Sequence, residues 1–290
     1  MTKVLLTGSS GFIGTRLTKR ETSPYCIESY SLRQTNVEEL DFTGIDSIVH
    51  LAGIAHRLEP TPDQLYFDIN HTLTTALAKR AKSAGVGQFV FMSTIKVYGE
   101  QTGTAVITEK TLCHPEGAYA RSKWVAEQDL LRIADDTFRV SIIRTPVVYG
   151  PGVKGNLLRI MLLASKPIPL PFANIENKRS MIFVDNLVAL LDQVIQQKAS
   201  GIFLPADHQA LSTSTLLRII RLELGVKEYL FHLPGIGRRL LRKLKPSLYS
   251  RLFDSLLVDG SQTNARLDFT PPFASDHGIR EMVKWFKAIQ

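Results

Sequence analysis

Residues Thr7-Gly-Ser-Ser-Gly-Phe-Ile-Gly14 directly follow the apolar run Val4–Leu6 and open a helical pattern. Strand, glycine loop and helix in that order constrain the fold more than any other feature of the chain. Gly8 allows a sharp turn, Gly11 lets backbone approach a pyrophosphate, and Gly14 lets helix and strand pack closely. Phosphates then meet the unpaired N–H groups of the first helical turn, which holds Phe12 and Ile13. The spacing is one residue longer than the common dinucleotide fingerprint, and three glycines so close together can also make a merely flexible turn. The preceding strand and following helix favour the phosphate cradle.

Ile48–Leu51, Phe89–Met92 and Val140–Ile143 are further short runs of β-branched or aromatic residues, the mark of buried parallel strands. Helical spacing covers Phe12–Lys19, Gln64–Ser83 and Tyr119–Ile133. This alternation predicts an α/β fold, a Rossmann-type doubly wound parallel sheet over residues 1–150, with a helix at 185–198 packing back on it. From 151 to 290 the pattern breaks into helices (Asn186–Gln197, Thr213–Leu224, Ile236–Leu244, His277–Ala288) separated by proline-rich turns such as Lys166–Pro171. That half is expected to form a smaller, mainly substrate-binding lobe.

With 44% hydrophobic and 21% charged residues among 290, the chain can bury a core, which excludes a disordered, collagenous or low-complexity protein. Cys26 and Cys113 cannot build a disulfide framework or, by themselves, a zinc site, so no metal is expected. No apolar run reaches the ~18 residues of a spanning helix, and the N-terminus lacks a signal-peptide pattern. A cytoplasmic setting is therefore expected.

An acid gripping a ribose 2′-hydroxyl belongs roughly 20 residues beyond the glycine loop, at the end of the second strand. The sequence there reads Ser29-Tyr-Ser-Leu-Arg33 without a carboxylate, and Glu28 falls early, within the strand. Ser31 and Arg33 suit a 2′-phosphate, which favours NADP(H) over NAD(H).

Tyr119 and Lys123 stand four residues apart on one helical face. A phenol of pKa ~10 is a poor base at neutral pH unless a cation favours its phenolate. Lys123 and an oxidised nicotinamide would provide that field, and Tyr119 could exchange a proton with a sugar hydroxyl or ketone. The plain alternative is an exposed helix pair. Ser93 and Thr94 end the fourth strand, at the sheet edge where ligands bind. Chance rarely produces loop, hydroxyl and Tyr/Lys pair in this order.

Thr7–Gly14, His50-Leu-Ala-Gly53, Asn70, Ser93–Gly99, Tyr119–Lys123, Arg144–Gly152 and Arg179–Asn186 together resemble an extended short-chain dehydrogenase/reductase of the NAD-dependent epimerase/dehydratase family. The resemblance covers essentially the whole length and implies an enzyme acting on a nucleotide sugar. It implies Tyr119 as acid/base, Lys123 as its partner and a nicotinamide-ribose ligand, and Thr94 as the catalytic hydroxyl with Ser93 beside it. Leu51, Ala52 and Gly53 match a loop along the cofactor, Asn36 and Val37 flank the adenine, and Asn70 is a structural or cofactor-side asparagine. Asn156, Arg179 and Arg251 match substrate-binding positions; a loop cap and surface ion pairs are their plain alternatives. Helices matching Gln64–Ser83 and Tyr119–Ile133 imply a homodimer.

Departures from the family narrow the chemistry. Thr94 is followed by Ile95-Lys96 rather than Asp-Glu, which disfavours a 4,6-dehydratase, and Val147 stands where many 4-epimerases carry Asn. Ser93–Gly99 and Gly150–Asn156 resemble most a bacterial group of UDP-sugar 4-epimerases and 4-keto-sugar reductases in surface-polysaccharide pathways. The leading expectation is a 4-keto-sugar reductase acting on a UDP-hexose or UDP-N-acetylhexosamine. A UDP-sugar 4-epimerase is the alternative, and a non-enzymatic NAD(P)-binding protein a remote one.

The net charge of +8 is concentrated. Residues 218–251 hold nine basic side chains against Glu223 and Glu228, leaving +7. No nucleic-acid motif accompanies them, so no nucleic-acid partner is expected. Arg238, Arg239, Arg242, Lys243 and Lys245 with Leu240, Leu241 and Leu244 predict a basic amphipathic helix. It can raise the local concentration of a diphosphate substrate, or touch an anionic inner-membrane surface weakly.

Overall fold

The computed structural model describes residues 1–33, 36–55, 61–100 and 105–290. The short apolar runs become β1 (Lys3–Thr7), β2 (Cys26–Tyr30), β3 (Ser47–His50) and β4 (Gln88–Thr94). After them come β5 (Val106–Ile107), β6 (Arg139–Thr145), β7 (Val147–Tyr149), β8 (Met181–Phe183), β9 (Gly201–Phe203) and β10 (Leu257–Val258). The helices are α1 (Phe12–Thr18), α2 (Asp63–Phe67), α3 (Leu73–Ser83), α4 (Gly117–Ile133), α5 (Asn156–Ala164) and α6 (Val184–Gln196). In the second half they continue as α7 (Thr213–Leu224), α8 (Gly235–Leu244), α9 (Pro246–Phe253), α10 (Ser261–Leu267) and α11 (Ser275–Ala288).

A six-stranded parallel sheet runs in the order β2-β1-β3-β4-β6-β9. Successive side chains of a strand face opposite sides, and both sides are covered here. Leu5, Ile48, Phe89 and Val140 pack with Leu77, Ala81, Ala126 and Leu130 of α3 and α4. Val4, Val49, Val90 and Ile143 pack with Leu17 of α1 and Leu187, Leu191 and Val194 of α6. β4 is buried along its whole length, which explains its continuous apolar sequence. This is the doubly wound α/β sheet expected. β1 pairs with β2 on one side and β3 on the other, so strand order reverses there and a crevice opens at the carboxyl ends.

The later chain contributes more to this layer than the helix at 185–198, because β9 supplies the sheet's edge strand. Asp207, just beyond β9, accepts from the Tyr149 hydroxyl at 2.6 Å and the Asn186 amide at 2.7 Å, fastening the lobe to α6. The lobe's own core gathers Tyr149, Met161, Leu217, Ile220, Met282 and Phe286 from β7, α5, α7 and α11. α5, α9 and α10 span only 9, 8 and 7 residues, too short for periodicity to register beforehand. Among the described residues no helix is long and apolar enough to cross a membrane.

The single helix expected over Gln64–Ser83 is broken in its middle. α2 and α3 are joined by a π-helical turn, Asp68–Thr72. The inserted turn carries Asn70, which is fully buried.

Candidate active site

The carboxyl ends of β1, β3 and β4 open on the crevice. Gly8 has φ +77°, and a Cβ there would lie 2.6 Å from the Ala52 nitrogen and 2.7 Å from the Leu51 carbonyl carbon. A Cβ on Gly14 would sit 2.3 Å from the Gly8 oxygen. The loop therefore has room only for glycine, and Gly11 caps α1 while donating its N–H to the Gly8 carbonyl at 3.0 Å. Phe12 and Ile13 present their N–H groups at the helix start, while their side chains pack on the lobe core and the sheet core. Open backbone at a helix N-terminus fits a dinucleotide pyrophosphate. Gly8→Ala is expected to weaken binding of nicotinamide dinucleotide by roughly 5- to 150-fold in a fluorescence titration, since left-handed strain and the clash cost about 1–3 kcal/mol. Unchanged affinity would remove this loop from the cofactor site.

Leu51, Ala52 and Gly53 follow β3 beside that loop, with the Leu51 N–H donating to the Thr7 carbonyl at 3.1 Å. Asn70 fixes the strand's continuation: its Oδ1 accepts from Ile54 N–H and its Nδ2 donates to Ile54 C=O, both at 2.9 Å. A Cβ on Gly53 would be 2.8 Å from Asn70 Oδ1 and 3.2 Å from Lys123 Nζ. His50 is fully buried between Thr7 Oγ1 (2.7 Å) and Thr74 Oγ1 (2.9 Å). Burial, with the nearby Lys123 charge, pushes it down to about 3, so it is a neutral brace.

Ser31 and Arg33 are exposed just beyond β2. Glu28 pairs instead with Lys3 at 3.6 Å and lies in register with Leu5, well short of the strand's carboxyl end. Asn36 is exposed and caps a short 3-10 turn by accepting from Glu38 N–H at 3.4 Å. Val37 differs from the expectation of an adenine contact: its side chain is 4% exposed and turned into the core with Leu40 and Phe42.

Tyr119 and Lys123 lie on α4, and Thr94 ends β4. Burial pushes the Tyr119 phenol above its ordinary pKa, while a hydrogen bond with the Thr94 hydroxyl pulls it down. Lys123 Nζ donates to the Met92 carbonyl at 2.9 Å and sits 4.4 Å from the Phe91 ring centroid. Burial lowers its pKa to about 8, opposed by the Glu127 carboxylate. Ser93 is not part of this group. Its hydroxyl donates to Glu127, one turn further along α4, because successive residues of β4 face opposite sides and Ser93 turns under the helix with Phe89 and Phe91.

Under α4, beside Lys123, lies a network that sequence reasoning missed. Glu127 is fully buried and takes a forked pair from Arg144, whose Nη2 is 2.6 Å from Oε2. Arg144 Nη1 donates to the Tyr98 hydroxyl at 2.6 Å. The signal was present: Glu127 follows Lys123 by four residues, one turn along the same helix.

Thr94 and Tyr119 open on a cleft of about 800 Å³ between the sheet edge and the lobe. Asn156, Arg179 and Arg251 line it together with Val147. Gly155 (φ +68°) caps α5 and leaves the Asn156 side chain facing the cleft. Arg159 was missed, though it lies one turn beyond Asn156 on α5. The Lys96–Glu100 pair, 2.6 Å apart, also lines the cleft. Arg179 is braced by the Asp254 carbonyl at 2.9 Å, and burial with the Arg251 charge lowers its pKa. Among the described residues Arg159, Arg179 and Arg251 have no carboxylate within ion-pair distance, so their charge is available to an anion. Beyond them lies a chamber of about 290 Å³ walled by Leu157, Ile160, Phe172, Met181, Leu216 and Leu252.

The sequence profile of the NAD dependent epimerase/dehydratase family matches residues 4–203. A UDP-glucose 4-epimerase of Vibrio cholerae is 36% identical over 98% of this chain and 95% of its own length. Among solved structures, the UDP-glucuronic acid 4-epimerase from Bacillus cereus in complex with NAD superposes with a TM-score of 0.79 at 18% identity, covering 99% of each chain. RMD from Pseudomonas aeruginosa complexed with NADPH superposes at 0.80 and 18%, covering 99% of this chain and 100% of that one.

Proposed function

The chain belongs to the NAD-dependent epimerase/dehydratase family, and on that premise we propose that it reduces the C4 ketone of a UDP-linked hexose or N-acetylhexosamine with NADPH. It is an enzyme of the extended short-chain dehydrogenase/reductase type, and its relatives include nucleotide-sugar epimerases and keto-sugar reductases. The residues fit a nicotinamide dinucleotide: the glycine cradle and the 51–53 loop would hold its pyrophosphate, and Lys123 its nicotinamide ribose. When bound, that group supplies the hydride.

The remaining steps fall to the chain. Arg159, Arg179 and Arg251 hold the diphosphate and so place the sugar under Thr94 and Tyr119. Burial keeps Tyr119 protonated in the free enzyme, the form that can donate to the C4 oxygen as hydride arrives. Thr94 orients that phenol, and the Lys123 ammonium stabilises the phenolate left behind.

One observation carries the choice of NADPH. The only carboxylate of β2, Glu28, is taken by Lys3, and Ser31 and Arg33 stand at the strand's end instead. A reductase consumes its cofactor and draws on NADPH from solution. The second reading, a UDP-sugar 4-epimerase, is favoured by the name of the Vibrio cholerae relative. Both reactions pass through a 4-keto sugar, so the cofactor distinguishes them. Purified protein free of dinucleotide that consumes NADPH stoichiometrically with a UDP-4-keto sugar, at least tenfold more efficiently than NADH, is the expected result. Tightly retained NAD with interconversion of UDP-hexoses would replace it by the epimerase. A pure NAD(P) binder would have no use for a buried phenol–hydroxyl–ammonium set. The proposal also includes a homodimer through α3 and α4, a cytoplasmic setting and a place in surface-polysaccharide synthesis.

A further inference from the structure

The concentrated positive charge resolves into two parts. Arg218 pairs with Glu228 at 2.7 Å. Arg221 is fully buried and donates to the carbonyls of Lys166, Ile168, Lys227 and Tyr229. Those two serve the fold. What stays outside is residues 229–253, which hold six Lys or Arg and no Asp or Glu.

α8 divides this stretch cleanly. At 100° per residue, Ile236, Leu240, Leu244, Gly237 and Leu241 occupy one arc, and the basic residues occupy the other. No residue of α8 is buried, and Ile236, Leu240 and Leu244 are 82%, 55% and 67% exposed. Arg238 and Arg242 lie over the Phe253 and Tyr249 rings of α9, 5.0 and 5.7 Å from their centroids. These contacts hold α8 to α9 by its basic side and leave Ile236, Leu240 and Leu244 outward, while Gly237 and Leu241 are half-buried at the groove beside them. Arg239 and Lys243 flank that arc, with no carboxylate in ion-pair reach among the described residues. An apolar groove of about 450 Å³ opens alongside, between Leu233, Leu240 and Leu244. Phe172, Leu248 and Leu252 line both this groove and the chamber behind the arginine cleft.

We propose that the α8–α9 face docks on an anionic lipid bilayer, with α8 in the headgroup plane and Ile236, Leu240 and Leu244 inserted. An exposed apolar arc bordered by cations is the pattern of a helix that binds by apolar insertion and attraction to anionic lipid together. A second copy meets this face poorly, because a two-fold contact would press two strongly basic helices against each other. The shared wall sets the substrate lobe at the membrane surface, where sugars are passed to or from lipid carriers. Only this purpose rests on the C4 reading; the docking itself does not.

Co-sedimentation of the full chain with phosphatidylglycerol/phosphatidylethanolamine vesicles, against phosphatidylcholine vesicles, reads the docking. Turnover of the UDP-4-keto sugar in solution, measured in parallel, reads the C4 chemistry separately. Binding to the anionic vesicles is expected to be at least tenfold stronger than to the neutral ones and to fall with added salt. Leu240→Asp with Leu244→Asp, and separately Arg239→Glu with Lys243→Glu, are expected to lose it roughly tenfold while solution turnover is unchanged. Equal binding to both vesicle types, or full binding by both variants, overturns the proposal. So does a wild-type dimer that the same variants split without any vesicle binding, which would assign the face to a second copy.

Discussion

Tyr119→Phe is expected to lower kcat for C4 reduction by about 10²–10⁴-fold, the range for loss of a positioned acid. The substitution removes one oxygen and leaves the ring, so its edge contact with Tyr66, at 6.5 Å between centroids, survives. On the proposed reading Arg159, Arg179 and Arg251, which line the cleft, keep the diphosphate contact, so KM should change only a few-fold. Steady-state kinetics with a UDP-4-keto sugar makes the measurement, and full retention of kcat would remove the phenol from the chemistry. The same assay has a predictable alkaline limb. Burial holds Lys123 at about 8, so its ammonium is present below that pH and is lost above it. The rate of the wild type should therefore fall as pH rises through about 8. A rate that stays flat to the ordinary lysine range would show that the ammonium takes no part.

Arg144→Met is expected to cost about 3–5 kcal/mol of folding stability in denaturant titration, because it strands the fully buried Glu127 carboxylate without a counter-charge. The Tyr98 hydroxyl loses its donor as well. Removing both charges together, as Glu127→Leu with Arg144→Met, should recover most of that loss, since a well-packed apolar pair is often as stable as a buried ion pair. If the single substitution were as stable as the wild type, the pair would not be holding the end of β4. Glu127→Gln provides a readout that packing alone would not move. The Glu127 charge raises the Lys123 pKa, so neutralising it should shift the alkaline limb to lower pH.

Much of the site was legible in the chain itself. Gly8, Gly11 and Gly14 announced a backbone approached so closely that no Cβ fits, and the fold puts backbone atoms in that space. Tyr119 and Lys123 could be paired because helical spacing is local, and Thr94 could be placed because a strand's last residue lies at the sheet edge. Val37 and Ser93 show where such reasoning stops. Both were given ligand-side positions, yet one enters the core and the other joins Glu127. Which side of an element faces ligand depends on what packs across from it, and that is not written in the neighbouring residues.

The sequence by itself determined the doubly wound sheet, the order of its motifs and the tight glycine loop, since strand burial, helical period and glycine geometry act over a few residues. Only the tertiary structure decided the rest. It brought Arg159, Arg179 and Arg251 from three separate segments to one cleft, buried Glu127 against Arg144, and took the ninth strand back into the main sheet. It also separated the structural arginines from the exposed ones, burying Arg221 while leaving α8 in solvent. Charge and polarity are properties of residues, but desolvation and pairing belong to places, and a place exists only once distant segments have met.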